Sequence, residues 1–118
     1  MRIGELADHA SVSTSKIRFY EAKGLLPCAP RLPNGYRDYG DYDLEIVRFI
    51  DRAQSLGFTL RDIAAHLSTP HGDVRKARLQ TRLEVKLAEL DDHLELVRAR
   101  RALIVTLIDE VKLPCATA

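Results

Sequence analysis

SVSTSKIRFYEAKGLLP, residues 11–27, decides the fold. Ser13 carries a hydroxyl that can accept from the first free backbone N–H groups of a helix. A helix is therefore expected from Ser13 to about Lys23. Gly24 ends it, since glycine best adopts the left-handed conformation that closes a helix. Upstream, residues 3–9 read as a short helix with Ile3, Leu6 and Ala7 on one side. Ala10-Ser11-Val12 is a tight connection between the two. Two short helices joined by a three-residue turn match a helix-turn-helix. Such pairs are common, so the motif alone does not establish DNA binding.

Downstream, LLPCAPRLP (25–33) holds three prolines and reads as a linker. It leads into NGYRDY (34–39). Asn34-Gly35 is a strong hairpin signal, because both residues tolerate the positive φ of a type I′ turn. Pro33 keeps the strand before it short or at an edge. Asp41 or Asp43 is expected to cap a third helix running through Leu56. Its apolar stripe is Leu44, Ile46, Val47, Phe49, Ile50, Ala53 and Leu56. Gly57-Phe58 breaks it. Thr59 caps a fourth helix in TLRDIAAHL, with Asp62 as the acidic member of a capping box. Ile63, Ala64 and Leu67 are expected to face inward.

Pro70-His71-Gly72 marks the second boundary. From about Asp73 to Val111 neither proline nor glycine occurs. A helix of that length exceeds roughly 50 Å. Leu79, Leu83, Leu87, Leu90, Leu94, Val97, Ile104, Ile108 and Val111 follow 3–4 spacing, interrupted by Arg101. That is a coiled-coil seam and implies a homodimer. The alternative, a helix folded back on its own domain, is disfavoured by the length. Charge along this helix alternates in blocks: Arg75, Lys76, Arg78 and Arg82, then Glu84, Glu89, Asp91, Asp92 and Glu95, then Arg98, Arg100 and Arg101, then Asp109 and Glu110. Two antiparallel copies centred near residues 93–95 set acids against bases. A parallel pair sets like against like. Each exposed pair is worth only about a few tenths of a kcal/mol, but together they can choose the orientation. The two N-terminal domains then lie at opposite ends of a two-fold axis.

The expected fold is thus mainly α, with domain boundaries at residues 1–70, 71–112 and a short tail at 113–118. The chain has 118 residues, 46% hydrophobic and 30% charged, as a folded globular chain requires. No apolar run approaches the roughly 20 residues that span a bilayer, so no membrane partner is expected. MRIGELADHA lacks the apolar core of a secretory signal. Cys28 and Cys115 form no CxxC pair, which suits a reducing cytoplasm. Formal net charge is only +1. Its distribution says more. Residues 1–37 hold Arg2, Lys16, Arg18, Lys23, Arg31 and Arg37 against Glu5, Asp8 and Glu21. Residues 38–70 hold Arg48, Arg52 and Arg61 against six acids. The N-terminal end is the one a polyanion could use. No Gly-rich phosphate loop, HExxH or GxSxG occurs, so no enzyme is expected.

IRFYEAKGLLP (17–27), NGYRDY (34–39) and LGFTLRDI (56–63), followed by one long helix, together resemble the MerR family of bacterial transcription regulators. The resemblance covers about residues 1–112. It implies a winged helix-turn-helix domain, with the wing at about 31–39, and an antiparallel coiled-coil dimer. It also implies a bacterial, nucleoid-associated protein. Such a dimer would bind a near-palindromic operator in promoter DNA and distort it, often in response to an effector, so that RNA polymerase meets realigned promoter elements. On this reading Arg37 bonds phosphate oxygens. Tyr36 packs on the backbone, and Arg31 does the same from the other strand. Tyr39 is read as core. Ser13, Thr14, Ser15 and Lys16, at the start of the second helix, are candidates for base or phosphate contacts. Arg18 lies on the face of Thr14 and suits guanine or phosphate. Tyr20 could pack with its hydroxyl reaching a phosphate. Ile17 and Phe19 are read as packing residues.

Two other readings stay open: an architectural or excisionase-like DNA binder without a ligand, and a coiled-coil adaptor that binds no DNA. The wing disfavours the second. Metal sensors of the family carry a cysteine at the start of the long helix or a pair after it. Here Lys76 stands at the helix start and only Cys115 follows. Neither a closed two-cysteine site nor an iron–sulfur cluster is expected, nor a separate effector domain. No cofactor is expected. One possible metal site remains, with Cys115 of one chain near His66 and His71 of its partner. Against it, Cys115 sits in a tail, His66 on a helix surface and His71 in a linker. Cys28 is read as a small packed residue.

Overall fold

The computed structural model describes residues 1–113. They form α1 (Ile3–Ala10), α2 (Thr14–Ala22), α3 (Asp41–Ser55), α4 (Leu60–Ser68) and α5 (Asp73–Lys112). The chain divides into a compact unit at Met1–Pro70 and a second unit beginning at His71.

The helix ends follow local chemistry. Ser11 closes α1 in the left-handed region, at φ 57°. Its neighbour Val12 donates its N–H to the Ala7 carbonyl at 3.0 Å. Ser13 then caps α2, its Oγ accepting from the Lys16 N–H at 3.1 Å. Gly24 has φ +73°. That turn lets the Leu25 N–H reach back to the Tyr20 carbonyl at 3.0 Å. Thr59 and Asp62 form the expected capping box, with bonds of 3.2 and 3.3 Å. At α3 the cap differs from expectation. Gly40 is the capping position, and Asp43, three residues in, accepts the Gly40 N–H at 2.9 Å.

The core joins α1 through Leu6, α2 through Ile17 and Tyr20, and α3 through Val47 and Ile50. Leu25 and Leu26 seal it from the linker, and Ile63 from α4. Four expectations of burial fail, that of Phe19 on α2 among them. Ala64 is exposed on α4 and Cys28 is exposed in the linker. Leu56 follows the end of α3 and is also exposed.

The hairpin is real but turns one residue earlier than a type I′ turn. The Gly35 N–H donates to the Leu32 carbonyl at 2.9 Å, which centres the turn on Pro33-Asn34. Gly35 takes φ +87° while Asn34 does not have positive φ. Proline at the first central position, followed by a left-handed glycine, is the signature of a three-residue hairpin loop. Arg31 and Arg37 then pair antiparallel in an isolated bridge. Tyr39 donates its backbone N–H to the Met1 carbonyl at 2.7 Å, so the start of the chain lies beside the hairpin exit.

The second unit is α5, 40 residues or about 60 Å long. None of its residues is buried within the chain. Leu79 is half-buried, whereas Leu83, Leu87, Leu90, Leu94, Val97, Ile104, Ile108 and Val111 are exposed. Leu96, Leu103, Val105 and Leu107 are exposed as well. The apolar surface of the C-terminal half is therefore broader than one seam.

Candidate nucleic-acid interface

The α2 helix has two faces. Ile17 and Tyr20 point into the core. Ser15, Arg18, Phe19 and Ala22 are exposed on the opposite side. They are spaced three and four residues apart, so they form one continuous face. Phe19, expected to pack, is 43% exposed. The Lys23 ammonium lies 5.6 Å from its ring centre.

Tyr20 also departs from expectation. It is fully buried, and its hydroxyl donates to Gln54 Oε1 of α3 at 2.9 Å. Burial raises its pKa above the usual tyrosine value. The hydroxyl is satisfied inside the fold, in place of the phosphate contact expected for it. Lys16 is half-exposed but not free. Its ammonium donates to Asp51 Oδ1 of α3 at 2.9 Å. That bond is the main cause of its raised pKa, so the lysine stays charged. Ser13 acts as the cap of α2, and Thr14 is half-buried.

The wing presents Tyr36, 54% exposed. Its loop is held by the Asn34 side chain, whose Oδ1 accepts the Tyr36 N–H at 3.1 Å. Arg31 donates to the Gly35 carbonyl at 3.1 Å and Arg37 to the Ala29 carbonyl at 2.8 Å. Each bond orients a guanidinium while leaving other N–H donors for a ligand. Tyr39 is buried, as expected, and its hydroxyl donates to the Glu21 carboxylate of α2. Burial, followed by that bond, pushes its pKa well up. This contact ties the base of the wing to α2.

The wing and α2 border a common groove of about 830 Å³. Arg18, Tyr36 and Arg37 line it together, as do Ala22 and Cys28. Ser13, Thr14, Ser15, Lys16 and Arg31 are not among its lining residues. Arg2 is, and sequence reasoning missed it. Its guanidinium stacks over the Tyr36 ring at 4.1 Å. Its charge was visible in the sequence, but its partner is 34 residues away in the chain. The groove is lined by the guanidiniums of Arg2, Arg18 and Arg37, the carboxylates of Glu5, Asp8 and Glu21, and one exposed phenol, beside the outward face of α2. Arginine supplies forked donors that fit phosphate or a guanine edge.

Of the metal candidates, His66 and His71 lie among the described residues. His66 is half-buried and stacks on Phe49 with ring centres 4.9 Å apart, rather than standing free on the helix surface. His71 is exposed. Cys115 lies outside the described residues. Among the described residues no group of three His, Cys, Asp or Glu side chains could hold a metal ion. No helix among them is long and apolar enough to cross a membrane.

Comparisons with known proteins agree with this geometry. Residues 1–69 match the family model for MerR helix-turn-helix regulatory proteins, and residues 44–111 match the model for the MerR DNA-binding region. The chain is 44% identical over 77 residues to a mercuric resistance operon regulatory protein of Bacillus cereus, covering 65% of this chain and 58% of that protein. It is 39% identical over 100 residues to the transcriptional regulator HmrR of Sinorhizobium medicae, covering 78% of this chain and 68% of that protein. The chain therefore spans about three fifths to two thirds of the length of these relatives. The structure of PbrR691 from Ralstonia metallidurans, determined with lead(II), superposes with a TM-score of 0.72 at 27% identity, covering 93% of this chain and 86% of that one. The chain belongs to the MerR family of non-enzymatic, DNA-binding helix-turn-helix transcriptional regulators.

Proposed function

We propose that the chain acts as a homodimer that binds a two-fold symmetric site in promoter DNA and distorts it. The observation that carries this reading is the groove where Arg2, Arg18, Arg37 and Tyr36 meet beside the exposed face of α2. Arg18, with Ser15, reads base edges in the major groove. Arg37, Arg2 and Tyr36 hold the flanking phosphates and set the register. The exposed apolar spacing of α5, from Leu83 to Val111, supports dimerisation through that helix. Its alternating charge blocks favour the antiparallel pairing. Family membership supports RNA polymerase as the protein that meets the distorted promoter.

A small effector sets the state of the dimer. Relatives named for mercury and other heavy metals make a metal ion one class to test. Among the described residues of one chain no group of three His, Cys, Asp or Glu side chains could hold such an ion, and Cys115 lies outside them.

Genomic footprinting of the purified protein tests the reading. Symmetric protection within promoters is expected. Arg18→Ala should cost about 1–3 kcal/mol and relax base preference, whereas Arg37→Ala should weaken binding evenly across sequences. Absence of any protected site at low salt, where phosphate contacts are strongest, would discard it. Repeating the footprint with divalent metal ions added identifies or eliminates that effector class.

A further inference from the structure

We propose that Asp51 is a positioning residue that holds the Lys16 ammonium off the DNA and so limits sequence-independent affinity. This deepens the DNA-binding reading and rests on it. Lys16 is the third residue of α2, close to the end expected to enter the groove. A flexible lysine there could reach a phosphate. Instead its Nζ lies 2.9 Å from Asp51 Oδ1 on α3, 35 residues away. One turn further along each helix, the Tyr20 hydroxyl donates to Gln54. Lys16 and Tyr20 are four residues apart, and Asp51 and Gln54 three apart, so the two bonds are adjacent links between the same helix faces. The Tyr20–Gln54 link fixes the spacing that keeps Asp51 within reach of Lys16.

The pair is open to water, with side chains 40% and 37% exposed. An exposed pair of this kind contributes little to stability. Its effect on binding is larger in kind. Affinity for any duplex grows with each cation that displaces a counterion from phosphate. A lysine already neutralised by a carboxylate displaces none. Arg18 and Ser15 stay outward and are untouched by the latch. The non-specific contribution falls while base readout stays, which raises the specificity ratio.

Salt dependence of binding to a random-sequence duplex tests this, with urea melts confirming that each variant folds. Asp51→Asn should steepen the slope of log K against log salt by about 0.9 for each recognition helix bound, and raise affinity at low salt. Lys16→Gln alone should leave the native slope unchanged. In the Lys16→Gln background, Asp51→Asn should no longer steepen it. A slope that falls by about 0.9 with Lys16→Gln alone means the lysine already touches phosphate, and overturns the inference. Equal steepening by Asp51→Asn with and without Lys16 reduces the effect to general charge and overturns it too. Native protein that binds no duplex at low salt removes the regulator reading itself.

Discussion

The two units of this chain bury their apolar residues on different terms. In Met1–Pro70 the side chains of α1, α2, α3 and α4 close on one another, and all the buried apolar residues of the described chain lie there. In α5, 40 residues of helix bury none. The difference teaches what each unit needs. The first can be stable through contacts within one copy. The second leaves its leucines, valines and isoleucines in water unless another surface covers them, and exposed apolar area of that kind marks an interaction site.

The sharpest way to break this comparison is to charge the middle of α5. Leu90→Asp with Leu94→Asp removes four leucines from a symmetric dimer. At roughly 2 kcal/mol for each buried leucine, that exceeds what most dimers can lose. Sedimentation should show a shift from dimer to monomer mass, with helical signal lost from α5 and Met1–Pro70 still folded. An unchanged mass would sink the dimer reading. A smaller effect is expected from Ile50→Ala, which opens a cavity in the N-terminal core where the residue is 0% exposed. The cost should be about 2–5 kcal/mol in urea unfolding. It should fall on Met1–Pro70 alone, so a matching loss of dimer affinity would show that the two units are energetically coupled.

The smallest effect concerns the wing. Tyr39 has a pKa raised by burial and by its bond to Glu21, so the fold favours its neutral form. That contribution is fully present below the unfolded value near pH 10 and is lost as pH rises towards the folded value. The slope from this one group is about 1.4 kcal/mol per pH unit above pH 10. Tyr39→Phe should flatten the alkaline limb of a thermal stability profile by that amount. A profile unchanged by the substitution would mean that Tyr39 does not couple the wing to α2.

Features settled by neighbours in the chain were legible in the sequence. Ser13, Gly24 and the Thr59–Asp62 box all act within a few residues of themselves, and each behaves as its chemistry requires. The length of α5 followed from the lack of proline and glycine. The turn at 33–35 shows the limit of such reading. Asn34-Gly35 was recognised as a turn, but Pro33 competes for its first central position and moves the turn by one residue.

Sequence by itself determined the helices, the caps of α2 and α4, the presence of the hairpin and the apolar spacing of α5, because these depend on backbone chemistry and on periodicity within a segment. It also marked Arg18, Tyr36 and Arg37 as the residues to watch. Only the tertiary structure decided that Tyr20 is buried on Gln54, that Lys16 is held by Asp51, and that Arg2 stacks on Tyr36. Each of these pairs joins residues 34 or 35 positions apart. A side chain's partner at that distance depends on how α1, α2, α3 and the wing pack, and no local pattern records it.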